Sequence, residues 1–230
     1  VSKIIESFGY NFGLTHETSV DTLYKNTTHD SFYQSKKLHL YLASIGVIDF
    51  SQRHITGFDE QLLDFQAIKE PYLVGILDSI RHLIGKIILV VRNPNDVINS
   101  INKFYKDNLS NEKTTIKNWV KYYTTFINSI GDVPYEVVNY DILLKSPEKV
   151  LTNLSNFLGR DTTDVSVQLN KKPQTTLVNL DVDTMFIYKS LTEKMHIETI
   201  KKNLLFNQTT KSCFCGSGRK YKKCCRMYSV

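Results

Sequence analysis

Residues 86–91, KIILVV, put five apolar side chains in a row, and Arg92-Asn93-Pro94 comes directly after them. A run that is apolar at both alternating sets of positions has no face to offer water. It fits a strand covered on both sides, as in a parallel sheet with helices packed above and below. The residues after it read as a helix start: Asn93 is a good N-cap, the fixed φ of Pro94 suits the first helical position, and Asp96 complements the helix dipole in the first turn. That helix is expected to run to about Tyr105.

The segments on either side extend the pattern. FQAIK (65–69) reads as a short strand ended by Glu70 and Pro71. YLVGILDSIRHLI (72–84) has helical period, and Gly85 stops it. Strand, helix, strand predicts neighbouring parallel strands joined by a right-handed crossover. A second helix is expected over about 114–130, a strand over YEVVNY (135–140), and a helix opened by Pro147 and closed by Gly159. Residues 160–183 read as a connector, 184–205 as a helix and 206–212 as a linker. Residues 1–8 look like the end of a helix stopped at Gly9, and an apolar helical patch lies near 38–48. The fold class is α/β, a parallel sheet flanked by helices.

Composition narrows the function classes. With 41% hydrophobic residues in 230, the chain can bury a core, so a disordered or fibrous chain is excluded. No run approaches the ~18 consecutive apolar residues of a membrane span, and the N-terminus lacks the basic-then-apolar order of a signal peptide, so the expected compartment is the cytoplasm. The net charge of +6 is misleading. Residues 201–230 hold eight Lys and Arg with no Asp or Glu, which leaves −2 for residues 1–200. Nucleic acid is therefore not an expected partner of the body. All four cysteines, Cys213, Cys215, Cys224 and Cys225, also lie in that tail, which rules out a disulfide framework for the whole chain.

In open α/β sheets, ligands bind beyond the carboxyl ends of the strands. Arg92 stands at such an end, and free N–H groups at the start of the next helix favour an anion that a guanidinium can grip in two places. Ser100, eight residues on, is two turns into that helix. Taken alone, Arg92 can equally pair with a surface carboxylate and Ser100 can be an ordinary helix residue.

KIILVVRNPNDVINS resembles the sulfotransferase segment that binds the 3′-phosphate of 3′-phosphoadenosine 5′-phosphosulfate, where an Arg at a strand end and a Ser eight positions later hold the phosphate. The resemblance gives Arg92 and Ser100 those roles and implies a P-loop NTPase-like fold. VVNYDILLKSPEKVLTNLSNFLG resembles the family's later strand, loop and helix, and places Tyr140 near the adenine; Asp141 stands where the family has Glu, and Ile142 where it has an acid. AIKEPY resembles a Lys-acid-Pro sequence at a strand end, which gives Lys69 the role of offsetting charge on the transferring group. Glu17, in THET, lies where tyrosylprotein sulfotransferases carry a Glu, which implies a general base, with His16 as competitor. The family's glycine-containing loop for the 5′-phosphosulfate is missing from these residues. The first residue is Val, and the loop is expected just upstream; without it, donor binding is expected to be weak and turnover low.

CFCGSGRKYKKCC supplies four thiolates, a match for the tetrahedral closed site of structural zinc. Glycines at 216 and 218 allow tight turns around the sulfurs. The segment resembles the SEC-C motif at the end of the translocation ATPase SecA, where it binds a chaperone and phospholipid. The resemblance implies Zn²⁺ on Cys213, Cys215, Cys224 and Cys225 and a docked protein partner, although the basic residues can equally touch RNA or an acidic protein, or simply face solvent.

The expectation is a two-part chain: a sulfotransferase-like domain over 1–205 and a zinc module over 206–230. It would move a sulfuryl group from 3′-phosphoadenosine 5′-phosphosulfate to a hydroxyl or amine of unknown identity. The alternative is a non-catalytic adaptor that uses the zinc tail on a degenerate scaffold. A phosphate-loop kinase would need Mg²⁺ ligands and an upstream Gly-Lys-Ser/Thr loop.

Overall fold

The computed structural model describes residues 2–10, 12, 36–47, 49–63, 66–104, 112–161 and 180–210. Two strands, β1 (Ile87–Val91) and β2 (Tyr135–Asn139), pair in parallel with Ile87 opposite Tyr135 and Val91 opposite Asn139. Before them come α1 (Ser2–Ser7), α2 (Lys36–Ser44) and the short α3 (Leu77–Ile80). The crossover between the strands holds α4 (Pro94–Phe104) and α5 (Glu112–Ser129). After β2 come α6 (Tyr140–Lys145), α7 (Pro147–Leu158), α8 (Val182–Thr192) and α9 (Ile197–Thr210).

The period-two alternation of the strands sorts the core into two layers. On one face Leu89, Val91 and Val137 pack with Trp119, Phe126 and Ile127 of α5, Ile187 and Leu191 of α8, and Ile200 and Leu204 of α9. On the other, Ile88, Val90 and Val138 meet Ile4, Ile5 and Phe8 of α1, Leu143 of α6, and Val150 and Leu154 of α7. Both faces are covered, as the unbroken apolar run requires. A third cluster joins Leu38 and Leu42 of α2 to Val47, Ile76 and Ile80.

Three expectations are corrected. Residues 66–70 form no ladder, so the predicted strand over FQAIK and its strand-helix-strand unit are not seen among the described residues. Ala67 packs against the core on the α1 side of the sheet and Ile68 against the α2 cluster, so this segment is held by side chains rather than by strand pairing. The helix over 72–84 is broken into a 3₁₀ turn (Pro71–Ile76), the single α turn α3, and a second 3₁₀ turn (Arg81–Leu83). Gly75 lies against the chain at Ser51, its carbonyl accepts the Arg53 N–H at 2.6 Å, and a Cβ there would come within 2.9 Å of the Ser51 oxygen and 2.8 Å of Val47. The helix expected over 184–205 is two helices, parted by a turn in which Lys194 takes a left-handed φ of 54°; α9 then continues to Thr210, through most of the expected linker.

Candidate active site

The carboxyl ends of β1 and β2 open side by side, and the first residues past each strand tie the two together. Asn93 caps α4: its Oδ1 accepts the Asn95 N–H at 3.0 Å and its carbonyl accepts the Val97 N–H at 3.1 Å. The Asn93 N–H donates to Asp141 Oδ2 at 3.0 Å. Asn139 caps α6 in the same way, accepting the N–H groups of Asp141 and Ile142 at 2.9 and 3.1 Å. Tyr188 of α8 donates its hydroxyl to the same Asp141 oxygen at 2.9 Å, and Tyr123 of α5 donates to the Val90 carbonyl at 2.8 Å. Burial first, then Asp141, pushes the Tyr188 hydroxyl pKa up, so it stays a donor.

Arg92 sits in this frame with its guanidinium 5.1 Å from the centroid of the Tyr140 ring, a cation–π contact. Its Nε is buried and has no protein partner, and the same holds for Asp141 Oδ1. Asp96 is buried in the first turn of α4; desolvation raises its pKa, Arg92 opposes that rise and Asp141 adds to it. Of the sequence-predicted residues, Arg92 and Tyr140 are thus brought into contact, whereas the expected convergence of Arg92 and Ser100 on one phosphate is not tested by a contact between them. Ser100 is exposed on α4, four residues after Asp96 on the same helical strip.

Lys69 and Glu70 stand at the entrance to the 3₁₀ turn. Glu70 is its N-cap, with Oε1 accepting the Tyr72 N–H at 3.1 Å and Oε2 lying 3.3 Å from His39 Nδ1. Burial raises the Glu70 pKa, while the Tyr72 N–H, His39 and Lys69 pull it down. Burial lowers the Lys69 pKa against the pull of Glu70. Around them Phe50 stacks on Tyr72 at 4.9 Å and meets Tyr122 edge-on at 5.3 Å. The Tyr122 hydroxyl, pushed up to about 12 by burial and then Glu70, stays protonated, and its ring meets Tyr123 at 5.0 Å. Two adjoining rings therefore connect the Glu70 end of the site to the Arg92 end.

Sequence reasoning misses Glu70, His39 and the joint role of Asp141. Pro71 at a helix start is a usable signal that Glu70 caps. Nothing local marks His39, whose contact spans 31 residues. Glu17, His16, Cys213, Cys215, Cys224 and Cys225 lie outside the described residues.

The fold is an α/β sheet with an arginine at a strand end and a capped helix behind it, and comparison with known proteins gives its family. The sulfotransferase domain family model matches residues 14–211, most of the chain, and the SEC-C motif matches residues 210–226. The chain belongs to the sulfotransferase domain family and carries a SEC-C motif at its C-terminal side. Among solved structures it is similar to the sulfotransferase domain from the curacin biosynthetic pathway, at 18% identity and a TM-score of 0.32, over 70% of this chain and 59% of that one. The chain thus spans about three-fifths of the length of that domain. No curated protein matches it. Among the described residues, no helix is long and apolar enough to cross a membrane.

Proposed function

We propose that this chain transfers a sulfuryl group from 3′-phosphoadenosine 5′-phosphosulfate to a hydroxyl or amine acceptor. The observation that carries the reading is the buried, unpartnered Nε of Arg92 beside the capped start of α4. A buried guanidinium N–H without an acceptor is costly, and a phosphate oxygen would satisfy it. In this reading Arg92 and Ser100 hold the 3′-phosphate and Tyr140 borders the adenine. Lys69 offsets charge that builds on the leaving oxygen, the main task in a transfer that asks the protein for position and electrostatics. Glu17 is the base that the family resemblance implies. The tail would bind one structural zinc through Cys213, Cys215, Cys224 and Cys225, gaining its fold from the metal, and would dock a protein partner.

Calorimetry with 3′,5′-bisphosphoadenosine tests the donor site. Binding that weakens roughly 10- to 100-fold in Arg92→Ala, for the loss of a charge-assisted contact, is the expected result, and micromolar affinity in the unaltered chain supports the enzyme over the adaptor. Absence of binding at millimolar nucleotide refutes the donor reading and leaves the adaptor.

A further inference from the structure

We propose that Asp96 takes up a proton as the donor's 3′-phosphate settles on Arg92, so that the phosphate meets a neutral carboxyl there; this rests on the sulfotransferase reading above and adds a donor-binding residue to it. Asp96 is only 3% exposed, in the first turn of α4. It holds the place where an anion is best received, the positive end of a helix, and its carboxylate is a counter-charge to Arg92. An incoming phosphate competes with it for both partners.

The charges around Asp96 argue that the two anions do not both stay ionised. Arg92 follows β1, Asp141 lies on α6 and Tyr188 comes from α8. The Tyr188 hydroxyl is neutral and donates to Asp141, and Tyr123 of α5 is likewise neutral, donating to the Val90 carbonyl. Among the described residues this leaves one cation against two carboxylates, a formal −1. Asp141 is 8% exposed and its Oδ1 has no partner, so nothing on that side offsets the excess. A phosphate dianion would take the sum to roughly −3 where charge is poorly solvated. Burial already raises the Asp96 pKa and Asp141 adds to the rise, with Arg92 opposing it. The dianion repels Asp96 further and engages Arg92, so Asp96 yields. Asp141 is committed elsewhere, since its Oδ2 accepts both the Asn93 N–H and the Tyr188 hydroxyl. One proton passes from solvent to an Asp96 oxygen and returns when the nucleotide leaves. Once neutral, Asp96 has an O–H to donate to a phosphate oxygen it would otherwise repel.

Calorimetry of the full chain with 3′,5′-bisphosphoadenosine at pH 7.5, in Hepes and in Tris, counts the protons from the difference in buffer ionisation heat. At that pH the nucleotide phosphates, with a second pKa of about 6, are already dianions. Wild type should take up about one proton per nucleotide and Asp96→Asn about none. From pH 7 to 8.5 the wild-type affinity should fall by up to about tenfold per unit, whereas that of Asp96→Asn should stay within about twofold. Equal uptake in the two proteins puts the proton elsewhere and overturns the proposal. Infrared difference spectra need no variant: on nucleotide binding the wild type should gain the carbonyl band of a protonated carboxyl, and its absence also overturns the proposal. Nucleotide that binds without proton uptake defeats the role of Asp96 and leaves the donor reading intact. Failure of the wild type to bind bisphosphoadenosine overturns the sulfotransferase reading and the proposal with it.

Discussion

The two ends of the candidate site are assembled in different ways. Around Arg92, the groups come from residues just past two strands, and each fixes the next through capping: Asn93 and Asn139 start their helices, and Asp141 joins the two turns. Around Glu70, the partners arrive from separate stretches of chain: His39 from α2, Phe50 from the loop after it, and Tyr122 from α5. The first end is held by side-chain oxygens that accept local N–H groups, and the second by ring packing together with the two polar contacts of Glu70. A ligand should find the Arg92 end preformed, whereas the His39 end depends on neighbouring segments keeping their register.

The sharpest way to break the comparison is Asp141→Ala, which strands the Asn93 N–H and the Tyr188 hydroxyl. A loss of about 3 kcal/mol in urea unfolding is expected, since each buried group left without a partner costs about 1–3 kcal/mol. Next is Gly75→Ala, where the new Cβ would strike the Ser51 carbonyl and Val47. Overpacking of this kind costs about 1–3 kcal/mol, and donor-analogue binding at Arg92 should survive it if the two ends are independent.

A smaller effect concerns pH. The folded protein holds the Glu70 carboxyl above its ordinary pKa through burial. The stability linked to it is therefore complete below the ordinary Glu range and falls away as pH rises through the folded value. Glu70→Gln cannot ionise, so its stability relative to wild type should be higher near pH 7 than near pH 4, by urea midpoints. An opposite trend would mean that the His39 contact outweighs burial.

The smallest effect lies on the rim. Lys121 holds Asp49 at 2.8 Å, and its hydrogen bond brings the carboxylate pKa down to about 2. That contribution is present above the ordinary Asp value and is lost as pH falls toward 2. Both side chains reach solvent, so Lys121→Met should cost no more than about 0.5 kcal/mol at neutral pH.

The contrast also explains what could be read from the sequence. KIILVV, Asn93-Pro94, YEVVN and Gly159 carry their structural reasons locally, in burial pattern, capping and a left-handed φ of 69° at Gly159. The two-faced sheet and the Arg92–Tyr140 contact derive from them. FQAIK has the composition of a strand, but composition does not say whether a partner strand stands beside it. The period of 72–84 is helical, yet the approach of Ser51 to Gly75 is a long-range event. The turn at Lys194 places a non-glycine residue in the left-handed region, which no local residue choice announces. His39 is the extreme case: in KKLHLYLAS it is one polar residue among leucines, and only the folded chain shows the carboxylate beneath it.

The hydrogen bond from Asn93 to Asp141 rivets the turn after one strand to the turn after the other. Those two turns can then part from the sheet only in concert, and a single proton, the amide of residue 93, keeps the record: its deuterium exchange rate clocks how often the whole mouth gapes.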